Sequence, residues 1–340
     1  MHSIMTISIS TWATVLIADR LGALPFSVIR EKGNPCYRAD MAHRKIPQRV
    51  FPRAKEDAAV ANTATETPQT VSDSYKLAFQ DSDFLLRDDL RPIRFQLELL
   101  KPELLLEEAN IGSTFVIYGS ARIPEPAKAD ALVESATTDK QRRVAERLRA
   151  KSRYYDEARK LAQIASQCPL DAAGKRQFVV CSGGGPSIME AANRGAQDVG
   201  AESIGLNIVL PFEQTPNPYV TPHLSFQFHY FALRKMHFLL RARAVAAFPG
   251  GFGTFDELFE LLTLVQTGKM AQLPIFLFGK EFWQRIVNFD GLVEEGVIGE
   301  ADLNLFRFVE TAEEAWEKLS LYYATRDRVH LHRDPAPHDA

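Results

Sequence analysis

The sequence has little cysteine. Only Cys36, Cys168 and Cys181 occur among its 340 residues. Their odd number and wide spacing argue against both a disulfide framework and a zinc site. We therefore expect buried thiols in a reducing compartment, which favours a cytoplasmic protein, and we expect no metal site.

Net charge and long apolar runs are also lacking. The chain has 40 basic and 43 acidic residues, a net charge of −3, so it offers no overall basic surface for non-specific nucleic-acid binding. No stretch of about 18 uncharged apolar residues occurs, so we expect no membrane-spanning helix. We therefore expect neither a nucleic acid nor a membrane as a partner. The remaining composition, 46% hydrophobic and 24% charged, is typical of a globular protein.

The two ends of the chain differ from its middle. Residues 1–73 predict a poorly ordered extension, because the part from Pro52 to Asp73 has too few apolar residues to fold alone. Met41 is an alternative start, which leaves two interpretations of the residues before it: an upstream translated stretch or a natural extension. Residues 326–340 predict a disordered tail.

Between these ends the pattern is that of a folded protein. Residues 74–110 carry apolar residues at helical spacing, punctuated by Pro92 and Pro102, and predict two or three helices that pack on the main domain. Residues 111–325 alternate short apolar runs with helical patterns, which predicts βαβ units and a parallel sheet covered on both faces. The runs that predict strands are Thr114–Tyr118, Phe178–Cys181, Ser203–Leu210, Ala244–Phe248 and Pro274–Phe278.

One segment of this domain is highly charged. Asp139–Gln167 predicts a long helical stretch rich in Arg and Lys. Because Glu146, Asp156 and Glu157 are interspersed among the basic residues, we interpret it as a solvated helix face rather than a nucleic-acid patch.

Three of the predicted strands end in glycine-rich turns, at the edge of the sheet where α/β proteins bind ligands. Pro249–Thr254 (PGGFGT) follows one strand and precedes a helix predicted over Phe255–Thr267, and Ser182–Ser187 (SGGGPS) repeats the arrangement. Backbone N–H groups and the positive end of the helix dipole favour an anion there, so two such loops favour a phosphorylated ligand over two empty tight turns. Neither loop matches the Walker A or GxGxxG patterns, so we expect no ATP hydrolysis and no redox cofactor.

Charged residues accompany the loops. Asp256 and Glu257 fall in the first turn of the predicted helix, where the dipole alone would favour them. A carboxylate beside a bound phosphate is also placed to stabilise the oxocarbenium-like state of glycosidic cleavage, and Glu260 follows one turn later. Phe231–Arg243 predicts a helix that covers the sheet, and its Arg234 would suit an oxyanion.

The segment Pro249–Glu257 (PGGFGTFDE) resembles the PGGxGTxxE signature of the Lonely Guy (LOG) family. Arg234-Lys235, about fifteen residues upstream, is similar to that family's second motif. Gly119-Ser120 and Gly183-Gly184-Gly185 resemble further parts of its pattern. The resemblance covers roughly Thr114 to Tyr323.

The resemblance implies a Rossmann-like, doubly wound parallel sheet with helices on both faces, plus an N-terminal helical extension. It implies an N-glycosidase, a nucleoside 5′-monophosphate phosphoribohydrolase that releases free base and ribose 5-phosphate from AMP or a cytokinin riboside 5′-monophosphate. It also implies a homodimer or higher homo-oligomer. Family members were formerly labelled lysine decarboxylases, but the sequence has no convincing context for a pyridoxal-phosphate lysine, so we expect no cofactor.

The family's functional residues fall on matching positions of this chain. Glu257 and Arg234 are the implied catalytic pair. The implied substrate and phosphate-binding residues are Gly250, Gly251, Gly253, Thr254, Gly183, Gly184, Gly185, Lys235, Ser120 and Met189.

The chain also departs from the family pattern. Glu190 stands where many members have Gly, Pro124–Gln167 looks lengthened, and shorter members lack the segment before Ile111. A non-catalytic nucleotide carrier or sensor on the same fold stays open as an alternative, because fold alone does not decide function. A regulatory or scaffolding role for the N-terminal helical region is a weaker one.

Overall fold

The computed structural model describes residues 51–211 and 215–331. The chain divides into two compact units after Leu77. The first contributes helix α1 (Ala54–Ala61), which buries none of its residues, and a 3-10 turn at Asp73–Tyr75. The predictions for Met41, Cys36 and the rest of residues 1–50, and for the tail beyond 331, lie outside the described residues.

The second unit contains a seven-stranded sheet in which all paired strands are parallel. Its order is β4-β3-β2-β1-β5-β6-β7, so the chain fills one half of the sheet, returns beside β1 and fills the other half. The predicted doubly wound α/β fold is confirmed. The strands are β1 (Thr114–Tyr118), β2 (Val179–Ser182), β3 (Ile204–Ile208), β4 (Ser225–Phe228), β5 (Ala242–Ala247), β6 (Ile275–Phe278) and β7 (Arg307–Val309).

Helices occupy both faces of this sheet. The helices are α2 (Ser82–Leu85), α3 (Arg91–Glu108), α4 (Pro126–Glu134), α5 (Asp139–Arg149), α6 (Arg153–Ala165), α7 (Ile188–Asp198), α8 (Phe231–Leu240), α9 (Phe252–Gln266), α10 (Lys280–Ile286), α11 (Phe289–Glu294) and α12 (Ala312–Leu331). Within residues 51–211 and 215–331, none of them combines the length and apolar character that crossing a membrane requires.

The core forms two layers because strand side chains alternate between faces. Phe115 and Ile117 of β1 pack with α6, α7 and α12, whereas Val116 and Tyr118 pack with α3, α8 and α9. All five residues of β1 are buried, which explains why this strand reads as a continuous apolar run.

Several predicted boundaries are corrected. Strands β4 and β7 were not predicted. Asp139–Gln167 forms two helices, α5 and α6, and the residues between them, 150–152, include no Pro or Gly. Helix α8 ends at Leu240 rather than Arg243, and β5 begins at Ala242. Helix α9 starts at Phe252, three residues before the predicted Phe255.

Helix α3 holds the start of α8 in place. The Glu98 carboxylate of α3 accepts hydrogen bonds from the backbone N–H groups of His229 (2.8 Å) and Tyr230 (3.2 Å), directly before α8. Pro102 lies inside α3 and has no N–H for the Glu98 carbonyl, and that carbonyl lies 3.1 Å from Nε2 of the buried His237. Since a carbonyl only accepts, Nε2 carries the proton. We call these contacts the Glu98 clamp.

Candidate active site

A cavity of about 1090 Å³ opens where the carboxyl ends of β1 and β5 meet. From these neighbouring strands the chain continues into opposite halves of the sheet, so the cavity lies at the topological switch point, the usual ligand site of doubly wound folds. Gly119 and Ser120 line it after β1, and residues 250–255 line it after β5.

The start of helix α9 forms one wall. Its first N–H groups, those of Phe252, Gly253 and Thr254, precede the first helical hydrogen bond, which Phe255 donates to the Gly251 carbonyl. All of these residues line the cavity. The wall therefore presents unpaired N–H groups and the positive end of a helix dipole, which suit an anion.

Gly250 is needed by the packing of this wall. Thr254 is buried, and a Cβ atom at Gly250 would overlap its side chain. The glycine therefore lets Thr254 lie directly beneath the loop.

The Gly183–Gly185 loop forms the opposite wall. Gly184 has a left-handed φ of 72°, and a Cβ atom there would overlap the Asn207 amide. Ser187 closes the loop with φ 67°, an uncommon conformation for a residue with a side chain, and its hydroxyl donates to the Ile123 carbonyl. Strained backbone of this kind is typical of functional turns.

A buried amide network supports this loop. Asn193 accepts hydrogen bonds from the Ser182 hydroxyl (2.7 Å) and from the Asn217 amide (2.9 Å). Asn217 also donates to the Gly185 carbonyl through its side chain (3.0 Å) and to the Gly184 carbonyl through its backbone (2.8 Å). The loop is thus fixed in shape before any ligand binds.

Arg234 and Glu257 form an ion pair in the cavity. Arg234 Nη1 donates to Glu257 Oε1 at 3.1 Å, and the two side chains are only 10% and 13% exposed. Arg234 Nε donates to the Leu206 carbonyl at 2.6 Å, and the guanidinium lies over the Phe238 ring. Contacts from three elements therefore hold the guanidinium in one orientation.

Glu257 has a perturbed acidity. Burial raises the pKa of its carboxyl to about 7, and Arg234 opposes that shift. A buried carboxyl group that titrates near neutral pH, inside a cavity and beside a cation, is typical of an acid–base or charge-stabilising group in an enzyme.

The structure brings most of the predicted site residues together. Lining the cavity are Ser120, Gly183, Gly185, Met189, Arg234, Gly250, Gly251, Gly253, Thr254 and Glu257. Gly184 does not line the cavity, and a Cβ atom there would meet the Asn207 side chain. Lys235 also lies outside the lining, where its ammonium pairs with Asp256 and Glu260 at 3.1 Å each.

The expected position of the acidic pair is corrected. Because α9 begins at Phe252, Asp256 and Glu257 lie in its second turn, not its first. The dipole preference for acidic residues in the first turn therefore does not account for Glu257, which faces the cavity.

Sequence reasoning missed part of the cavity wall. Asn207 lines it and donates to the Phe226 carbonyl at 3.1 Å. As the only strongly polar residue in the apolar run Ser203–Leu210, it carried a usable signal. The rest of this missed lining is apolar, and nothing in the sequence distinguishes it from core residues. It consists of Ile208, Leu210, Phe226, Phe231, Phe252 and Ile286.

Comparison with known proteins supports the resemblance to the LOG family. Residues 189–319 match a family model described as "Possible lysine decarboxylase". A probable cytokinin riboside 5′-monophosphate phosphoribohydrolase of rice, Oryza sativa subsp. japonica, is 34% identical over 98 residues, which are 28% of this chain and 46% of that protein. A cytokinin riboside 5′-monophosphate phosphoribohydrolase of Arabidopsis thaliana is 28% identical over 183 residues, 53% of this chain and 80% of that protein. The resemblance to the LOG family is confirmed.

The rice match spans less than half of that LOG protein's own length. Among solved structures, a structural genomics target determined by X-ray crystallography is 20% identical, covers 62% of this chain and 99% of its own, and has a TM-score of 0.40.

The departure from the LOG pattern at Glu190 has a local explanation. Its carboxylate accepts a hydrogen bond from the Tyr155 hydroxyl at 2.9 Å, so it ties α7 to α6. Neither residue lines the cavity, whereas the adjacent Met189 does.

Proposed function

We propose that this protein hydrolyses the N-glycosidic bond of AMP or of a cytokinin riboside 5′-monophosphate. The products are the free base and ribose 5-phosphate. The observation that carries the proposal is the buried Arg234–Glu257 pair, set between two glycine-rich walls that suit a phosphate. The names of the LOG relatives support the substrate class.

In this proposal the 5′-phosphate binds at the start of helix α9. The N–H groups of Phe252, Gly253 and Thr254 donate to its oxygens, and the helix dipole favours its charge. Binding energy from this remote group is then available to orient the ribose at the scissile bond.

Bond cleavage then depends on Glu257. The bond between C1′ and the base nitrogen breaks, its electron pair leaves with the base, and positive charge develops on C1′ and the ring oxygen. The Glu257 carboxylate stabilises that charge and takes a proton from the water that attacks C1′. That proton then passes to the departing base, which leaves as the neutral free base and regenerates the carboxylate. Arg234 holds the carboxylate in place and favours its ionised form.

The base fits the apolar wall. Phe226, Ile208 and Leu210 lie on the β3–β4 side of the cavity, and Asn207 adds a polar group between them. A purine, with or without an apolar substituent, has the flat apolar faces and polar edges that such a wall accommodates.

The test is turnover of a nucleoside 5′-monophosphate panel, followed by chromatography of the free base. We expect Glu257→Gln to lower kcat/KM for base release by about 10²–10⁴-fold, because the replacement cannot ionise. The matched control is Glu260→Gln, one turn further along α9, where the carboxylate pairs with Lys235 instead. Full activity of Glu257→Gln with unchanged folding would contradict the assigned role.

The same panel separates the enzyme from a nucleotide carrier or sensor on this fold. A carrier would bind monophosphates without releasing base. The presence of both Arg234 and Glu257 favours the enzyme, because a binder needs the glycine loops but not a buried carboxylate.

Two further properties belong to the proposal. We infer a homodimer or higher homo-oligomer from the LOG resemblance. We infer a cytoplasmic location from the cysteine content.

A further inference from the structure

Arg122 is a cation of the cavity to which the proposed reaction gives no task. Its exposed side chain lines the cavity, two residues after Ser120. Its backbone N–H donates to the Ser120 hydroxyl at 2.9 Å. Within residues 51–211 and 215–331, by contrast, no carboxylate pairs with its guanidinium. The structure therefore places an unpaired positive charge at the ligand site.

The backbone on both sides of Arg122 is anchored. Ser120 donates its N–H to the Pro249 carbonyl at 3.1 Å, at the start of one glycine-rich wall. The Ile123 carbonyl accepts a hydrogen bond from the Ser187 hydroxyl, which belongs to the opposite wall. This short segment thus bridges the two walls, and it carries the free guanidinium on a fixed backbone.

The other charges of the cavity cancel. Arg234 and Glu257 are the remaining charged residues among the described residues of the lining, and they pair with each other. Lys235 lies outside the lining, where its charge is balanced by Asp256 and Glu260. When the cavity carboxylate is ionised, as the proposed reaction requires, this ion pair contributes no net charge to the site.

A phosphate monoester needs more positive charge than the start of α9 supplies. Near neutral pH such a group carries a charge of about −1.5 to −2, whereas a helix N-terminus is equivalent to roughly +0.5. The Glu257 carboxylate in the same cavity adds repulsion. A guanidinium stays charged at neutral pH, and its planar fork of donors fits two phosphate oxygens at once.

We infer that Arg122 is the counter-ion of the substrate's 5′-phosphate and that it selects a nucleotide over the corresponding nucleoside. Its N–H groups donate to phosphate oxygens that the N–H groups of α9 leave free. The chain allows this contact, because two residues span at most about 7 Å and Ser120 bonds to the residue before Gly250. The inference rests on the proposed function for the identity of the substrate.

This role differs from that of Arg234. The phosphate does not react, so a contact with it is the same in the bound substrate and in the transition state. Loss of such a contact raises KM more than it lowers kcat. Arg122 is therefore a specificity-determining residue, whereas Arg234 acts on the reacting carboxylate.

The test is the binding of ribose 5-phosphate to the full chain, measured by isothermal titration calorimetry. This probe carries the phosphate but has no N-glycosidic bond, so binding is measured without turnover. We expect Arg122→Gln to weaken binding about 10–100-fold, because a charge-assisted hydrogen bond is lost. Arg122→Lys keeps the charge without the planar fork and should recover part of the affinity.

The matched control is Lys128→Gln, which removes one positive charge outside the cavity. Lys128 is exposed and pairs with Glu125 at 3.2 Å. This variant should bind ribose 5-phosphate as the wild type does. Because the Arg122 side chain is exposed and unpaired, we expect unchanged circular dichroism in its variants.

A comparison of two substrates tests the selection itself. In Arg122→Gln, kcat/KM for AMP should fall about 10–100-fold, mainly through KM, while kcat/KM for adenosine stays unchanged. Ionic strength provides a measurement that needs no variant. The affinity of the wild type for ribose 5-phosphate should fall between about 0.1 M and 1 M NaCl, because salt screens an exposed charge pair.

Several results would overturn the role of Arg122. They are unchanged binding of ribose 5-phosphate by Arg122→Gln, an equal loss in Lys128→Gln, a wild-type affinity that salt leaves unchanged, and a wild type that does not bind the probe. Failure of the proposed function gives a different result. The wild type would then bind ribose 5-phosphate through Arg122 and release no base from any monophosphate, which supports the counter-ion and contradicts the reaction.

Discussion

Single residues carry the chemistry of the cavity, and Glu257 shows how two opposing influences act on one carboxyl group. Burial raises its pKa to about 7, while Arg234 at 3.1 Å stabilises the carboxylate. The carboxyl group is therefore divided between its two protonation states near neutral pH, and small changes in its surroundings change its charge.

This pKa predicts the pH dependence of base release. The proposed reaction needs the Glu257 carboxylate, so kcat/KM should fall about tenfold per pH unit below the pKa near 7 and level off above it. Rates between pH 4 and pH 9 measure this acid limb. It should persist in Glu260→Gln and disappear from the residual activity of Glu257→Gln. A limb at pH 4 to 5 in the wild type would mean that Glu257 titrates as a solvated carboxyl.

Gly253 predicts a different kind of effect. A Cβ atom there meets nothing within 4 Å, although the residue lines the cavity, so only a ligand would be obstructed. Alanine is also favoured over glycine inside a helix by about 1 kcal/mol. Gly253→Ala should therefore raise Tm slightly and raise KM for the monophosphate at least tenfold. The control is Gly299→Ala, outside the cavity, and an unchanged KM in Gly253→Ala would place the phosphate elsewhere.

At the scale of helices and strands, the strands that helices cover on both faces of the sheet were the most predictable elements. Strands β1, β2 and β6 are buried throughout, and β5 is buried over its last four residues, which gives short apolar runs followed closely by glycine or proline. The edge strands were not predictable. β4 reads SFQF, an alternation after an irregular stretch, and β7 has only three residues.

Tertiary contacts explain the other differences. Pro102 was expected to interrupt the helical segment, yet α3 continues through it while the Glu98 carbonyl contacts His237 of another helix. Similarly, Asn193 and Asn217 are far apart in sequence and meet only beneath the folded glycine loop. Each of these contacts joins residues far apart in the chain, so no local sequence pattern predicts them.

The Glu98 clamp predicts that α3 positions a site to which it contributes no lining residue. Arg234 lies one turn into α8, whose preceding N–H groups bond to Glu98. Glu98→Ala leaves those groups unpaired and should lower the free energy of unfolding by about 1 kcal/mol. It should also lower kcat about tenfold with little change in KM, because the orientation of Arg234 matters most in the transition state. Denaturant unfolding and steady-state rates measure the two effects.

A graded series tests this positioning role. Glu98→Gln keeps an acceptor oxygen and should recover most of the activity, whereas Gln96→Ala, exposed on the same helix, should behave as the wild type. Loss of stability with wild-type kcat in Glu98→Ala would reduce the clamp to a structural role.

At the scale of the whole molecule, the topology decides where the chemistry lies. The sequence predicted glycine-rich turns at strand ends, but only the order β2-β1-β5 brings three of them around one cavity. The order also sets α9 beside α8 across the end of the sheet, so Glu257 meets Arg234 although 23 residues separate them. The motifs were thus readable from the sequence, while the ion pair required the fold.

Ligand binding should therefore stabilise the molecule as a whole, through the phosphate. A ligand that binds only the folded state adds about 2.7 kcal/mol at a concentration 100 times its Kd, which raises Tm by several degrees. In Glu257→Gln, which should bind without turnover, we expect AMP and ribose 5-phosphate to raise Tm and adenosine at the same concentration to have little effect. Thermal unfolding of the full chain measures the shift, and adding Gly253→Ala should reduce the response to AMP. An equal shift with adenosine would mean that the base, rather than the phosphate, supplies the binding energy, and the start of α9 would lose its role as the anion site.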